Sequence, residues 1–542
     1  MPEGIVAALN AVIKGGVAGD LDTLTRYSRD ASLFELVPQA VAYPKNTEDV
    51  QALVQYANQE KNISLTVRSG GTDMSGGALT ESVVVDVNKH MNQIVQINDH
   101  EAVVQPGLFY RNFEKETEKL GVLLPSFPAS KSLCTVGGMV ANNSGGEKTL
   151  SYGKTEKYVK NLKAVLADGN EYTFRSLSPI ELEKKKQMQT WEGEIYRRIS
   201  SLLEKNRKLI KKMTPRVSKN STGYSLWNVE KDGRFDLGQL LVGSQGTLGI
   251  ITEITFRLIK PKPHSRMLIM FLRSTDNLSQ IIPAVLRHQP ESFESYDDNT
   301  LKLAMKFFPQ LLKQMKTKIF SLALQFIPEV KLILTGGLPK LILIAEFSGY
   351  DEKEIIMRVR AAEQGVRSLV TATRITRNEN EAEKYWTIRR ESFNLLRKRV
   401  KTKKTAPFID DFIIQPRHLP EFLPQLEKIL KQYDIFYTIA GHVGDGNFHI
   451  IPLMDLADEK QRAIIPELSE KVYDLVFAYK GSMSAEHNDG LVRSHYLKKM
   501  YGEEVYKLFE EVKNIFDPNN IFNPGKKIGA SKEYAAEHLI RG

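Results

Sequence analysis

The sequence predicts an α+β protein of more than one domain. Three observations carry that expectation. Strand-like and helix-like patterns alternate up to about residue 260, and a Pro261-Lys262-Pro263 break follows. A second block, running to about residue 500, then sets apolar strand-like runs among long amphipathic stretches.

In order, residues 47–59 have helical spacing and lead into the extended run 63–68. Residues 82–87 form a β-branched strand pattern, and 102–105 another, ahead of Pro106-Gly107. Residues 113–120 read as helix, and 162–166 and 172–175 as strands around the turn Asp168-Gly169. Residues 240–242 and 250–258 read as strands flanking a glycine-rich turn. In the second block, 267–272 and 341–347 look like buried strands, and 442–449 is expected in a loop after the strand 436–440. A last helix, 505–516, stops at Asp517-Pro518.

At 542 residues the chain has room for several domains and a large buried core. Its one cysteine, Cys134, excludes a disulfide framework, a cysteine-ligated iron–sulfur cluster and a zinc ribbon. Electrons handled by this chain therefore need an organic carrier. The net charge of +10 is mild for this length, so its placement matters more than its sum. Residues 1–17 carry one basic residue, Lys14, and no signal-like pattern. No uninterrupted apolar run reaches membrane-spanning length. A cytoplasmic location is the expectation.

Three glycine-rich stretches stand out: Arg68-Ser69-Gly70-Gly71-Thr72-Asp73-Met74-Ser75-Gly76-Gly77, the run from Thr135 to Gly146, and Gly243-Ser244-Gln245-Gly246-Thr247-Leu248-Gly249. Glycine lets backbone amides approach a ligand closely and form anion-binding nests. Neither a Rossmann fingerprint nor a P-loop is present. One such loop would read as a turn; three in one domain suit a phosphate-bearing cofactor laid across several loops.

Two short segments hold three of the ten histidines: Gly441-His442-Val443-Gly444-Asp445-Gly446-Asn447-Phe448-His449 and Ser484-Ala485-Glu486-His487-Asn488-Asp489-Gly490. The first alone reads as structural histidines in a polar turn. Together they supply imidazoles and a carboxylate suited to a divalent transition metal with open positions. Asp445 and Asp489 read as loop-shaping residues.

The strings RSGGTDMSGGAL, VQPG, PSFPASKSLCTVGGMVANNSGGEKTLSYGKT and LVGSQGTLGI occur in order over roughly 220 residues. They resemble the FAD domain of the vanillyl-alcohol oxidase and p-cresol methylhydroxylase (PCMH) superfamily. GHVGDGNFH, SAEHNDGLVRS and FDPNNIFNPGK resemble the C-terminal signature of FAD-linked D-2-hydroxy-acid dehydrogenases. That group includes D-lactate and D-2-hydroxyglutarate dehydrogenases and the flavin subunit of glycolate oxidase. With YSRDASLFELVPQAVAYPKNTEDV, the similarity covers most of residues 25–530.

The resemblance implies a two-subdomain PCMH-type FAD-binding domain over 1–265. It implies an α+β cap domain with an antiparallel sheet over 266–500, and a tail, 501–542, that packs back on the FAD domain. It assigns FAD contacts to Arg68, Ser69, Gly70, Gly71, Thr72, Asp73, Ser75 and Gly76, and to Pro128, Thr135, Gly137, Gly138, Asn143, Ser144 and Gly146. Further contacts fall to Tyr152, Gly153, Gly246, Ile250, Thr252 and Asn523, with Ile250 and Thr252 along the adenosine half. Thr72 stands where some relatives carry a flavin-linked histidine, so the FAD is expected to be non-covalent. Gln245 stands where relatives usually have glutamate.

By the same resemblance His442, His449 and Glu486 hold a divalent metal (Zn, Mn or Fe), and His487 is the base. Arg389, from the W-x-x-R element Trp386-Thr387-Ile388-Arg389, meets the substrate carboxylate, which a guanidinium fork suits. Asn447 and His487 join Arg389 in substrate binding. Asn488 replaces a glycine usual in the motif. It tolerates positive φ, and its side chain is a candidate to crowd the substrate pocket. The implied activity is oxidation of a D-2-hydroxy acid to the 2-oxo acid by hydride transfer to flavin. The alternatives are an oxidase using oxygen or another alcohol, and a flavin subunit docked to a membrane electron-transfer complex.

Reduced flavin must pass its electrons on, so an electron-transfer protein or a quinone is the expected partner. Basic runs at 201–220, 302–340 and 397–404 read either as solvated helix faces or as a peripheral membrane contact at the inner face. Nucleic acid is not expected, since no reader motif occurs.

Overall fold

The computed structural model describes residues 2–306, 337–378, 381–389 and 403–541. The predicted α+β class is what it shows, in three main sheets. The first is four-stranded, in the order Val17–Ala18, Ala40–Ala42, Val83–Asp86, Leu65–Arg68. Its last three strands are parallel. All four residues of Val83–Asp86 are buried, as a strand with neighbours on both sides requires. Helix Thr47–Gln59 packs Val50, Leu53, Val54 and Ala57 into the same core, at the i, i+3, i+4, i+7 spacing its sequence carries. Asn46 caps it by accepting from Asp49 N at 3.1 Å.

The second sheet is five-stranded and antiparallel: Ile94–Ile97, Glu101–Val104, Ile250–Arg257, Val159–Val165, Glu171–Arg175. Its core is shared with the long helices Trp191–Met213 and Leu497–Phe516. The basic run splits there. Lys205, Arg207, Lys208, Lys211 and Lys212 are exposed along the helix, whereas Lys219 beyond it is buried. Most of the other two basic runs lies outside the described residues. Among the described residues no helix is long and apolar enough to cross a membrane.

The third sheet is antiparallel and runs Ala372–Ile375, His264–Leu272, Leu341–Gly349, Ser292–Asp297, Phe436–His442, Asn447–Met454, Lys404–Thr405. Phe412–Ile413 also pairs with Asn447–Met454. Helices Leu278–Leu286, Glu352–Val366, Leu419–Leu430 and Glu459–Ala478 cover one face. The opposite face carries Tyr296 and Leu453, packed against Tyr385, Trp386 and Ile388 of the helical segment 381–389. Strand alternation puts Glu294, His442 and His449 on this second face.

The tail returns to the first sheet. Leu65 N donates to Ile521 O at 2.7 Å, Asn523 N to Leu65 O at 3.0 Å, and Phe522 enters that sheet's core.

Two expectations from sequence need correction. Residues 240–242 are not a strand: Gly238–Leu241 is a helical turn, opened by Asp236 accepting from Gly238 N at 2.9 Å. A three-residue apolar run fits either conformation, and the capping acid decides. His442 and His449 do not lie in an open loop either. The strand continues to His442, the next begins at Asn447, and Ala440 faces His449 across the ladder. Only residues 443–446 turn, through Gly446 at φ 77.

Candidate active site

The three glycine stretches converge. Gln245, itself at φ 53, donates from Nε2 to Ser75 Oγ at 3.0 Å and to Asn142 Oδ1 at 3.3 Å. Asn523 Nδ2 donates to Gly77 O at 2.8 Å and to Gln245 O at 2.7 Å. Asp73 braces the first loop, accepting from Ser75 Oγ, Gly77 N and Asn142 Nδ2. Glycine is needed where these loops touch. A Cβ on Gly70 would stand 2.7 Å from Leu133 O, one on Gly137 2.5 Å from Pro106 O, and one on Gly146 2.3 Å from Phe127 O.

Thr135 caps helix Val136–Asn142, which ends at Asn143 in the left-handed region with φ 49. Gly138 faces Ser69 Oγ, Ser144 O accepts from Thr155 N at 3.0 Å, and Gly246 packs on Val67. Ile250 and Thr252 are buried on the adjoining strand, Thr252 bonded to Glu171. Tyr152 and Gly153 lie to one side, where burial and Glu291 push the Tyr152 phenol up. Pro128 is half-buried beside Gly146.

This arrangement fits FAD. Residues 69–74 are half-exposed on a rim whose surroundings are buried. Ser69 and Thr72 make no side-chain hydrogen bond among the described residues, so both hydroxyls are available to a ligand. Arg68 is differently employed. Its guanidinium donates to Tyr27 O at 3.0 Å and Arg29 O at 2.6 Å, which fixes the loop's entry.

The histidine cluster adjoins this rim. A Cβ on Gly145 would stand 3.0 Å from Glu486 Oε1. His442, His449 and Glu486 offer ligand atoms all within 4.8 Å of one another. Two further groupings, Asp410 with His449 and His487, and Asp411 with Glu486 and His487, meet the same limit. Hydrogen bonding favours the first. Glu294 Oε1 holds His442 Nδ1 at 2.6 Å, and Asp410 Oδ1 holds His449 Nδ1 at 3.0 Å, leaving both Nε2 atoms for an ion. Asp410 Oδ2 lies 2.6 Å from His487 Nδ1, so one carboxylate orients two imidazoles. The His449 and His487 rings stack at 5.2 Å.

Burial opposes charge on His442, yet Glu294 and Glu486 outweigh it and lift the ring to about 9. His487 is lifted to about 9 against burial by Asp411 and Asp410. Glu486 is buried, and Lys219 and His442 hold it well below the carboxylate range. Five buried carboxylates (Glu294, Asp410, Asp411, Asp445, Glu486) face four cations (Lys154, Lys219, Arg389, Arg493) among the described residues. Two imidazole Nε2 atoms and a carboxylate make a donor set that fits a divalent metal.

The other expected site residues fall around this cluster. Arg389 pairs with Glu294, and its Nε is buried without a hydrogen-bond partner among the described residues. Asn447 is fully buried, with Nδ2 on Asp411 Oδ1 at 3.2 Å and Phe412 O at 3.1 Å. Asn488 sits at φ 67, and its side chain is engaged by the protein itself. Its Nδ2 donates to Gly243 O at 2.8 Å, and its Oδ1 accepts from Lys527 Nζ at 2.7 Å. The loop-shaping reading of Asp445 and Asp489 agrees with their bonds to Ser218 Oγ and to Gly223 N.

Glu294, Asp410 and Asp411 were not singled out from sequence as site residues. Asp411 Oδ2 accepts from Ser484 Oγ and from the amides of Glu486 and His487. Lys219 Nζ donates to Glu486 Oε1 at 2.6 Å. The signal was a pair of adjacent acids and one glutamate in an otherwise buried strand, which only the fold connects to the histidines.

Residues 38–175 match the FAD binding domain family, and residues 261–527 match the family of FAD linked oxidases, C-terminal domain. A D-2-hydroxyglutarate dehydrogenase of Pseudomonas putida is 29% identical over 97% of this chain and 52% of its own length. The chain spans about half the length of that relative and of others like it. A glycolate oxidase subunit GlcD of Bacillus subtilis is 25% identical over 94% of both chains. Among solved structures, 4-ethylphenol oxidase from Gulosibacter chungangensis superimposes with a TM-score of 0.69 at 18% identity, covering 97% of this chain and 96% of its own. That likeness shows the fold. The chain thus carries an FAD binding domain followed by the C-terminal domain of FAD linked oxidases, on a fold like that of p-cresol methylhydroxylase.

Proposed function

We propose that this chain oxidises a D-2-hydroxy acid of the lactate, 2-hydroxyglutarate or glycolate class to the 2-oxo acid. The observation that carries the reading is the segment 485–490, which serves both halves of the site. Glu486 and His487 face the histidine cluster, while Asn488 and Gly490 bond to Gly243 O and Gln245 Oε1 at the glycine loops. Lys154, drawn down to about 8 by burial, holds the segment in place by donating to Ala485 O at 2.8 Å. A base and a two-electron acceptor are thereby brought to one substrate carbon.

Bound FAD supplies the acceptor for the C2 hydride, and a divalent metal on His442, His449 and Glu486 supplies Lewis acidity at the substrate hydroxyl. His487 takes the hydroxyl proton. Asp410 holds its Nδ1, leaving Nε2 for that proton, and the two neighbouring acids make the ring basic. Arg389, whose Nε has no hydrogen-bond partner among the described residues, meets the substrate carboxylate and fixes which face of C2 is turned to the flavin. Asn447 holds Asp411, which in turn fixes the backbone of the base. Ser69, Thr72 and the glycine amides hold the cofactor without a covalent link. A separate electron-transfer protein or quinone then reoxidises it, in a cytoplasmic setting.

The test is anaerobic titration of the FAD-loaded, metal-supplied protein with D- and L-2-hydroxy acids. Bleaching of the flavin band by a D-acid and not by its L-enantiomer is the expected result. Bleaching by neither would overturn the assignment.

A further inference from the structure

Glu294 is fully enclosed, at 0% exposure in a strand whose six residues are all buried. The ladder fixes its neighbour. Ser295 faces Gly441 and Tyr296 faces Ala440, so the next cross-strand pair in antiparallel register is Glu294 and His442. Glu294 Oε1 holds His442 Nδ1 at 2.6 Å, and Oε2 pairs with Arg389. An enclosed carboxylate costs several kcal/mol unless it is paired, and here both oxygens are.

Resting on the reading of His442 as metal ligand and Arg389 as carboxylate clamp, we infer that Glu294 is a positioning residue that couples the two. A single negative charge is shared between them. When Arg389 turns part of its charge to a substrate carboxylate, more of the Glu294 charge falls on the His442 Nδ1–H, and Nε2 becomes a stronger donor to the metal. By reciprocity an occupied metal site loosens the hold of Glu294 on Arg389 and improves the clamp.

The test measures Zn2+ affinity by chelator competition on the FAD-loaded full chain with no acid present, so it does not depend on turnover. Glu294→Gln is isosteric and should weaken Zn2+ binding by about 10- to 100-fold. In the parent chain Arg389→Met should tighten Zn2+ binding by at least about fivefold, and in the Glu294→Gln background by less than about twofold. Arg389→Lys keeps the charge and should leave Zn2+ binding within about twofold of the parent.

An equal shift on Arg389→Met in both backgrounds is plain charge repulsion and overturns the coupling. So does no shift in the parent, a result that stands even if Glu294→Gln fails to fold. At saturating Zn2+, Glu294→Gln should also lower KM for the hydroxy acid, because it releases Arg389 to the substrate carboxylate; an unchanged or raised KM overturns the clamp half. If no 2-hydroxy acid bleaches the parent, the functional reading falls, and the Zn2+ measurements still decide the coupling.

Discussion

Replacing Asp410 by asparagine removes one charge that orients two rings. Oδ1 holds His449 Nδ1 at 3.0 Å and Oδ2 holds His487 Nδ1 at 2.6 Å. The first is a hydrogen bond to a charged group and the second a buried ion-pair contact; at about 1.5–3 kcal/mol each they represent about 3–6 kcal/mol together. Expressed in the reductive step, that is a loss of about 100- to 10,000-fold. An amide can accept through its oxygen at one ring while its NH2 turns the wrong face to the other, so one imidazole adopts the wrong tautomer. The fold should survive, because the Asp410 carbonyl that accepts from Arg493 Nη2 is untouched. The assay is anaerobic stopped-flow reduction of the flavin by the D-acid identified for the parent, with bound metal quantified on the same sample. Reduction within about tenfold of the parent at full metal occupancy would refute the assignment of Asp410 as orienter of the base.

Three further outcomes are expected. Lys219→Met leaves Glu486 and Asp445 enclosed without their ammonium, and stability should fall by about 3–5 kcal/mol in chemical denaturation. An unchanged midpoint would contradict that pairing. Asn488→Gly removes the bonds to Gly243 O and Lys527, so FAD should bind several-fold more weakly while the preference among 2-hydroxy acids stays constant; a changed preference would return Asn488 to the substrate pocket. Glu346 is lifted to about 7 by burial, against Lys148 and with the help of Glu291 and Glu147. Its folded pKa lies above its ordinary 4.5, so the stability it contributes is complete below that value and lost as pH rises through about 7. Glu346→Gln should therefore melt progressively higher than the parent between pH 5 and pH 8, with a gain of about 1–2 kcal/mol at the upper end; parallel melting curves would refute it.

Much of the fold was legible because local patterns agreed with the tertiary result. Asn46 followed by the spacing of Val50, Leu53, Val54 and Ala57 specifies one helix with one buried face. The β-branched run at 83–86 specifies a buried strand. The residues 240–242 were misread because three apolar residues carry no period, and the helical turn is set by Asp236 outside the run. The histidine strands read as a loop in the sequence because GHVGDGNFH is polar and glycine-rich. Its ends are held extended by ladder partners far apart in sequence, Ser295 among them.

By itself the sequence determined the chemical inventory: three glycine loops, two histidine segments, an arginine on a helix and a single thiol, in an order that matches one flavoprotein family. These are short-range properties, and a motif keeps its residues in reach of one another wherever the chain carries it. The tertiary structure alone decided which acids stand behind the histidines. Glu294 meets His442 across 148 positions, Asp410 meets His449 across 39, and Lys219 meets Glu486 across 267. It also turned Asn488 toward Gly243 and enclosed Lys219 while leaving the neighbouring lysines in water. The reason is physical. A charge is tolerated in an enclosed site only with a partner, and that partner is chosen by strand register and domain packing, which no local spacing encodes.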